Sequence, residues 1–200
     1  MPITSLNQLD LDRHYTYADY LKWQLKERVE LLKGRVFKMS PVPNVQHQRM
    51  VGILFNRLFN HLEGGPCQVF SAPFDVRLPL PEHHQRADRI DTVVQPDVCV
   101  ICDRSKLDEQ GCIGPPDLVI EVLSPGNTNR EMKEKFELYE AAQVPEYWIV
   151  DPERAHLLQY RLDGQGRYVS QAPLVRSDTI SSYTLQGFRC SLDAVFGEEG

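Results

Sequence analysis

Two stretches of the chain are apolar almost without interruption, residues 93–102 (VVQPDVCVIC) and 117–123 (DLVIEVL). Both are too short for buried helices and rich in β-branched residues, which predicts strands buried on both faces. Residues 44–65 instead repeat apolar positions every three or four residues, a long helix with Asn44 or a neighbour as cap and Gly64-Gly65 as stop. Residues 127–143 predict a second helix, and Thr16 with Asp19 is spaced as the capping box of a short one. Residues 28–40 read as two strands about a Lys33-Gly34 turn, 68–80 and 146–151 as strand, and 81–91 as a polar loop. A hairpin is expected over 156–173 around Asp163-Gly164-Gln165-Gly166, then a strand and a short terminal segment over 179–196. Helices interspersed with a run of strands predict an α/β (α+β) fold, a mixed sheet with helices packed on it. No repeat, low-complexity tract or linker divides the chain, so one domain over 1–200 is expected.

Composition changes this picture little. Hydrophobic residues at 42% and charged residues at 25% are ordinary for globular proteins. A formal net charge of -6 argues against a protein that coats nucleic acid nonspecifically. It leaves room for an enzyme that meets nucleic acid through a local basic surface or through metal ions. No apolar run approaches the roughly 18 residues of a membrane span, and the N-terminus lacks a signal pattern, so no membrane partner and a cytoplasmic location are expected. The five cysteines, Cys67, Cys99, Cys102, Cys112 and Cys190, are an odd count without framework spacing, and the Cys99–Cys102 pair reads as buried free thiols. Cys99 and Cys102 are three apart in a predicted strand, on opposite faces, and cannot converge on zinc.

Against the apolar background a few residues break the local rule, and such breaks mark functional sites. Glu121 sits in the middle of the 117–123 strand, where an unpaired charge is costly. Asp97 follows Pro96 at the head of an equally apolar run, and the proline suggests an edge, a bulge or a strand start. Either acid alone reads as a cap on backbone donors. Two carboxylates entering the interior repel unless a cation lies between them, and a hard ion such as Mg²⁺ is held by one or two carboxylates, with water and phosphate completing its shell.

A helical wheel over residues 131–143 adds a lysine. With Glu131 at zero, Leu138, Ala142, Tyr139, Met132 and Phe136 span about -20° to 140°, and Lys135 falls inside that arc at about 40°. Lys133 points the other way. Lys135 therefore snorkels, pairs with Glu131 one turn earlier, or reaches the two acids. His47 shares the apolar face of the long helix with Met50, Leu54 and Leu58, as a core histidine or a catalytic one. Glu30, between Val29 and Leu31, is a third carboxylate or a solvent-facing strand residue. His83-His84 reads as solvated loop, and Ser124 has no evident histidine base.

Four segments carry a family resemblance: "QPD" at 95–97, "DLVIEVLSP" at 117–125, "KFELYEAAQVPEYWIVDP" at 135–152 and "VELLKGRVFKMSP" at 29–41. Together, from about residue 16 to about residue 190, they resemble the Uma-two endonuclease family of the PD-(D/E)XK nuclease superfamily. The resemblance implies a restriction-endonuclease-like core, a mixed four-stranded sheet flanked by helices with extra N-terminal and C-terminal strands. It also implies Mg²⁺-dependent hydrolysis of phosphodiester bonds in DNA, with Mn²⁺ as a substitute. Asp97 then matches the acid of the PD half and Glu121 the second acid, and both would hold metal with the Val122 carbonyl. The superfamily pattern wants lysine two residues after Glu121, where this chain has Leu123. In this branch the lysine is thought to have moved to the next helix, and Lys135 matches it. Glu30 and His47 match positions that recur in the branch. A homodimer would suit the cutting of two strands. The alternative function is a nucleic-acid-binding or protein-interaction module that keeps the fold without turnover.

Overall fold

The computed structural model describes residues 2–39, 44–80, 89–125 and 129–197, without the side chains of 129–131. The His83-His84 loop and the Glu131 pairing lie outside the described residues. Along the chain, α1 (Tyr17–Tyr20) leads to β1 (Val29–Leu32), β2 (Arg35–Lys38), α2 (Val45–Leu62), β3 (Gln68–Ser71) and β4 (Asp75–Arg77). Then come β5 (Val93–Val94), β6 (Val98–Ile101), β7 (Leu107–Asp108), β8 (Gly111–Ile113), β9 (Leu118–Val122) and α3 (Asn129–Ala141). The rest is β10 (Glu146–Asp151), β11 (His156–Leu162), β12 (Tyr168–Ser170), β13 (Leu174–Val175), β14 (Thr179–Ser181), β15 (Arg189–Ser191) and α4 (Leu192–Phe196).

Local chemistry explains the principal elements. The Asn44 side chain accepts the His47 N–H at 2.8 Å, and α2 buries His47, Met50, Leu54 and Leu58 along one stripe. Thr16 and Asp19 close a capping box on α1. Lys33 and Gly34 both take positive φ, 51° and 79°, the conformation a two-residue hairpin turn requires. A Cβ at Gly34 would also strike the His14 ring.

The central sheet runs β12-β11-β10-β9-β6-β3, with β13 also on β11; β9 and β10 are parallel and the other neighbours antiparallel. Strand alternation splits its residues between two cores. Val98, Val100, Leu118, Ile120 and Val122 meet α2 and α4 on one face. Cys99, Ile101, Val119, Tyr147 and Ile149 meet Leu138 and Tyr139 of α3, and the second sheet, on the other. That second sheet has the order β2-β1-β5-β4-β8-β7.

Four expectations are corrected. The 93–102 run is two strands in different sheets, because Pro96 supplies no ladder N–H and the chain changes direction at Gln95-Pro96-Asp97. Residues 68–80 divide in the same way at Ala72-Pro73, and the core sheet is wider than four strands. Cys67 and Cys102 form a disulfide, since the antiparallel register of Gln68 with Ile101 brings the next pair of positions together. Cys99, Cys112 and Cys190 are the buried free thiols. Among the described residues no helix is long and apolar enough to cross a membrane.

Candidate active site

The site forms where β6 begins and β9 ends. Val98 pairs with Ile120 in antiparallel register, and one further step sets Asp97 opposite Glu121 on the same face. Asp97 Oδ2 accepts the Val122 N–H at 2.8 Å and lies 3.2 Å from His47 Nε2, at the head of α2. Glu121 Oε1 accepts hydrogen bonds from Lys135 Nζ at 2.9 Å and from the Tyr139 hydroxyl at 2.7 Å. These two donors are four apart and so share a face of α3. Lys135 Nζ also lies 3.1 Å from Glu30 Oε1, which accepts the Gln95 N–H at 2.9 Å. One ammonium therefore bridges an acid from each sheet.

Burial and charge act against each other here. Burial raises the Glu121 carboxyl, Lys135 lowers it, and the nearby Asp97 and Glu30 raise it again, leaving it pushed up to about 7. Burial alone would lower Lys135, but the charges of Glu121 and Glu30 outweigh it and hold the ammonium above its ordinary value. Burial likewise works against His47, and the Asp97 hydrogen bond and charge prevail to raise it. The Tyr139 phenol is held well above its usual range, first by burial and then by Glu121, so it serves as a hydrogen-bond donor.

The donor set fits a hard divalent ion in one specific respect. Both bonds to Glu121 fall on Oε1 and both contacts to Asp97 on Oδ2, so Glu121 Oε2 and Asp97 Oδ1 make no protein hydrogen bond among the described residues. Their side chains retain 11% and 18% exposure, enough for a ligand to reach them. Among the described residues no three His, Cys, Asp or Glu side chains are placed so that they could together hold one metal ion. Two carboxylate oxygens suit Mg²⁺, which keeps several waters, better than zinc, which wants a fuller protein cage.

All five side chains singled out in the sequence come together: Asp97, Glu121, Lys135, Glu30 and His47. Lys135 reaches the acids rather than snorkelling, while Lys133 is 76% exposed. Glu30, left open by the sequence, faces inward at 5% exposure. Two contributors were missed as site members. Tyr139 could have been found from its spacing to Lys135. Gln95 contributes through its main chain, which leaves no pattern in the sequence.

A mixed sheet with helices on its faces and paired acids at adjoining strand ends defines the restriction-endonuclease-like α+β fold. The crystal structure of a "putative nuclease belonging to DUF820" from Anabaena variabilis shares it, with a TM-score of 0.69, 18% identity, and coverage of 90% of this chain and 97% of that one. The chain belongs to the Uma2 family, described as "Putative restriction endonuclease", whose model matches residues 17–193. It is also 24% identical over 155 residues to the "Uncharacterized protein slr1290" of Synechocystis sp., covering 76% of each chain.

Proposed function

We propose that the protein is a metal-dependent endonuclease that hydrolyses phosphodiester bonds in DNA. The observation that carries this reading is Lys135, arriving from a helix to sit 2.9 Å from Glu121 beside Asp97, while each acid keeps an uncommitted oxygen. The family description as a restriction endonuclease agrees with it. Asp97, Glu121 and the Val122 carbonyl would hold a divalent ion, Mg²⁺ or Mn²⁺. When bound, that ion supplies polarisation of a phosphate oxygen and a water of lowered pKa.

The remaining work falls to the chain itself. Lys135 presents a fixed positive charge to a phosphate gaining negative charge, and a charge already in place stabilises that change without reorganising. Glu30 and Tyr139 hold Lys135 and Glu121 in position. His47, with Asp97 favouring its protonated form, can hold a proton for the departing oxygen. The alternative, a binding module without turnover, draws on the same ion pair, because Lys135 already satisfies Glu121 and Glu30. Incubation of plasmid and single-stranded DNA with Mg²⁺, Mn²⁺ or chelator separates the two. Cleavage is expected only with metal, and its absence with every divalent ion would leave the binding module.

A further inference from the structure

We infer that residues Tyr20 to Lys38 form the surface that receives a single DNA strand, with one unstacked base seated in a cavity beside Gln95; this rests on the nuclease reading above. The charge distribution is the first reason. The whole chain has 28 Asp and Glu against 22 Lys and Arg, yet residues 20–38 hold six basic residues against Glu27 and Glu30 alone. Glu30 is already committed to Lys135. Lys26, Arg28, Arg35 and Lys38 are exposed, and the ion pairs of the described residues involve none of them, whereas Lys22 faces the Asp19 carboxylate. Uncompensated cations on an acidic protein mark where a polyanion can approach.

Position is the second reason. Lys38 pairs with Val29, and the Met39 N–H donates to the Arg28 carbonyl, so Arg28 and Lys38 flank the same end of the β1–β2 hairpin, Arg28 on the face that carries Glu30 and Lys38 on the face that carries Val29. At about 3.3 Å per strand residue, Arg28 lies about 7 Å along the backbone from Glu30 and the candidate active site. A strand that crosses this end of the hairpin meets Lys38 on one face and Arg28 on the other, and the phosphate at Arg28 is already beside the acids.

The cavity supplies the third. Tyr20, Trp23, Leu25, Glu27, Arg28 and Gln95 are among the residues that line a space of about 280 Å³, where the Glu27 carboxylate can accept from a base edge while Arg28 faces phosphate. Gln95 belongs to both places. Its N–H donates to Glu30, while its side chain donates to Asp75 at 2.8 Å and accepts from Arg28 Nη2 at 2.9 Å. Aromatic rings with a guanidinium at the rim offer stacking to any base, the combination by which single strands are held. The volume falls just below the roughly 300 Å³ where drug-sized pockets begin, which suits one ring system. A base inside a duplex is already stacked on its neighbours, so stacking on these rings favours a strand that is unpaired there.

The test is binding of a labelled oligonucleotide, as single strand and as duplex, to the full chain in chelator. The single strand is expected to bind more tightly. Replacing both Arg28→Ala and Lys38→Ala, exposed positions, should flatten the slope of log K against log salt by about 1.4, at about 0.7 per phosphate contact on a single strand. Trp148 is wholly buried, so quenching by the single strand reports Trp23, and Trp23→Phe should remove it. Trp23→Ala, if it folds, should weaken binding roughly tenfold. Equal affinity for duplex, or an unchanged salt slope in the double variant, overturns the inference even where metal-dependent cleavage is intact. Strand binding with these signatures but no cleavage would support the surface and remove only the catalytic reading.

Discussion

Replacing Lys135 with methionine removes a charge that two carboxylates share, Glu121 at 2.9 Å and Glu30 at 3.1 Å. Methionine retains much of the stem, so the perturbation is mainly electrostatic. Removing one partner of a buried pair costs roughly 3–5 kcal/mol when the stranded charge stays ionised. Here it need not stay ionised. The Glu121 carboxyl is already pushed up to about 7 with the ammonium beside it, and losing that ammonium moves it higher. A proton then takes the place of the ammonium near neutrality and cuts the cost below that range, to the order of 1–2 kcal/mol. The sign of the pH dependence follows. A carboxyl raised in the folded state gives stability that is present at low pH and lost as pH rises towards the folded value. Wild type stops losing stability from this group above about pH 7, whereas the variant continues, at about 1.4 kcal/mol per pH unit. Urea unfolding at about pH 6 and about pH 8 should therefore show a deficit at least 1 kcal/mol larger at the higher pH. Cleavage should fall about 10²–10³-fold, the usual loss for one preorganised electrostatic group. A pH-independent deficit together with a wild-type cleavage rate would show that Lys135 neither holds down the Glu121 carboxyl nor serves the reaction.

Mg²⁺ or Mn²⁺ should raise the thermal unfolding temperature of wild type, and Glu121→Gln should abolish the shift. Because Glu121 must lose its proton to bind metal, the wild-type shift should grow between about pH 6 and about pH 8; an equal shift in both proteins would place the ion elsewhere. Glu146 accepts Trp148 Nε1 and Gln159 Nε2 on one oxygen and four donors from Ser182, Tyr183 and Thr184 on the other, tying the 182–185 turn to β10. Glu146→Ala should cost roughly 3 kcal/mol or more in urea unfolding by stranding those donors, and a change under 1 kcal/mol would contradict that role. The Cys67–Cys102 disulfide closes a separation of 35 residues, so reduction should lower stability by about 3–4 kcal/mol. Thiol titration of the unfolded, non-reduced chain should count three free cysteines; five would deny the bond.

The parts of the site written in local patterns were legible in the sequence. Glu121 and Asp97 stood out because an acid in a strand buried on both faces has no cheap local explanation, and Lys135 because a 3.6-residue period fixes which way a helix residue points. What depended on pairing between distant segments was not legible. Glu30 faces inward only because the β1–β2 hairpin packs over α3, and nothing within residues 29–32 decides that. β7 and β8 have two and three residues, too short for a period of two to register. Cys67 and Cys102 lie 35 residues apart and meet through a register that neither segment encodes alone. The resemblance to a nuclease family nevertheless held, since its motifs sit where the strands and α3 converge.

The central claim is that Asp97, Glu121 and Lys135 act together in metal-dependent phosphodiester hydrolysis. The direct measurement compares plasmid and single-strand cleavage by wild type, Asp97→Ala, Glu121→Ala and Lys135→Ala, each with Mg²⁺, Mn²⁺ and chelator, after confirming that all four are folded. Cleavage by wild type is expected only with metal, with losses of about 10² or more in every variant. Equal, metal-independent cleavage by all four would contradict the central claim.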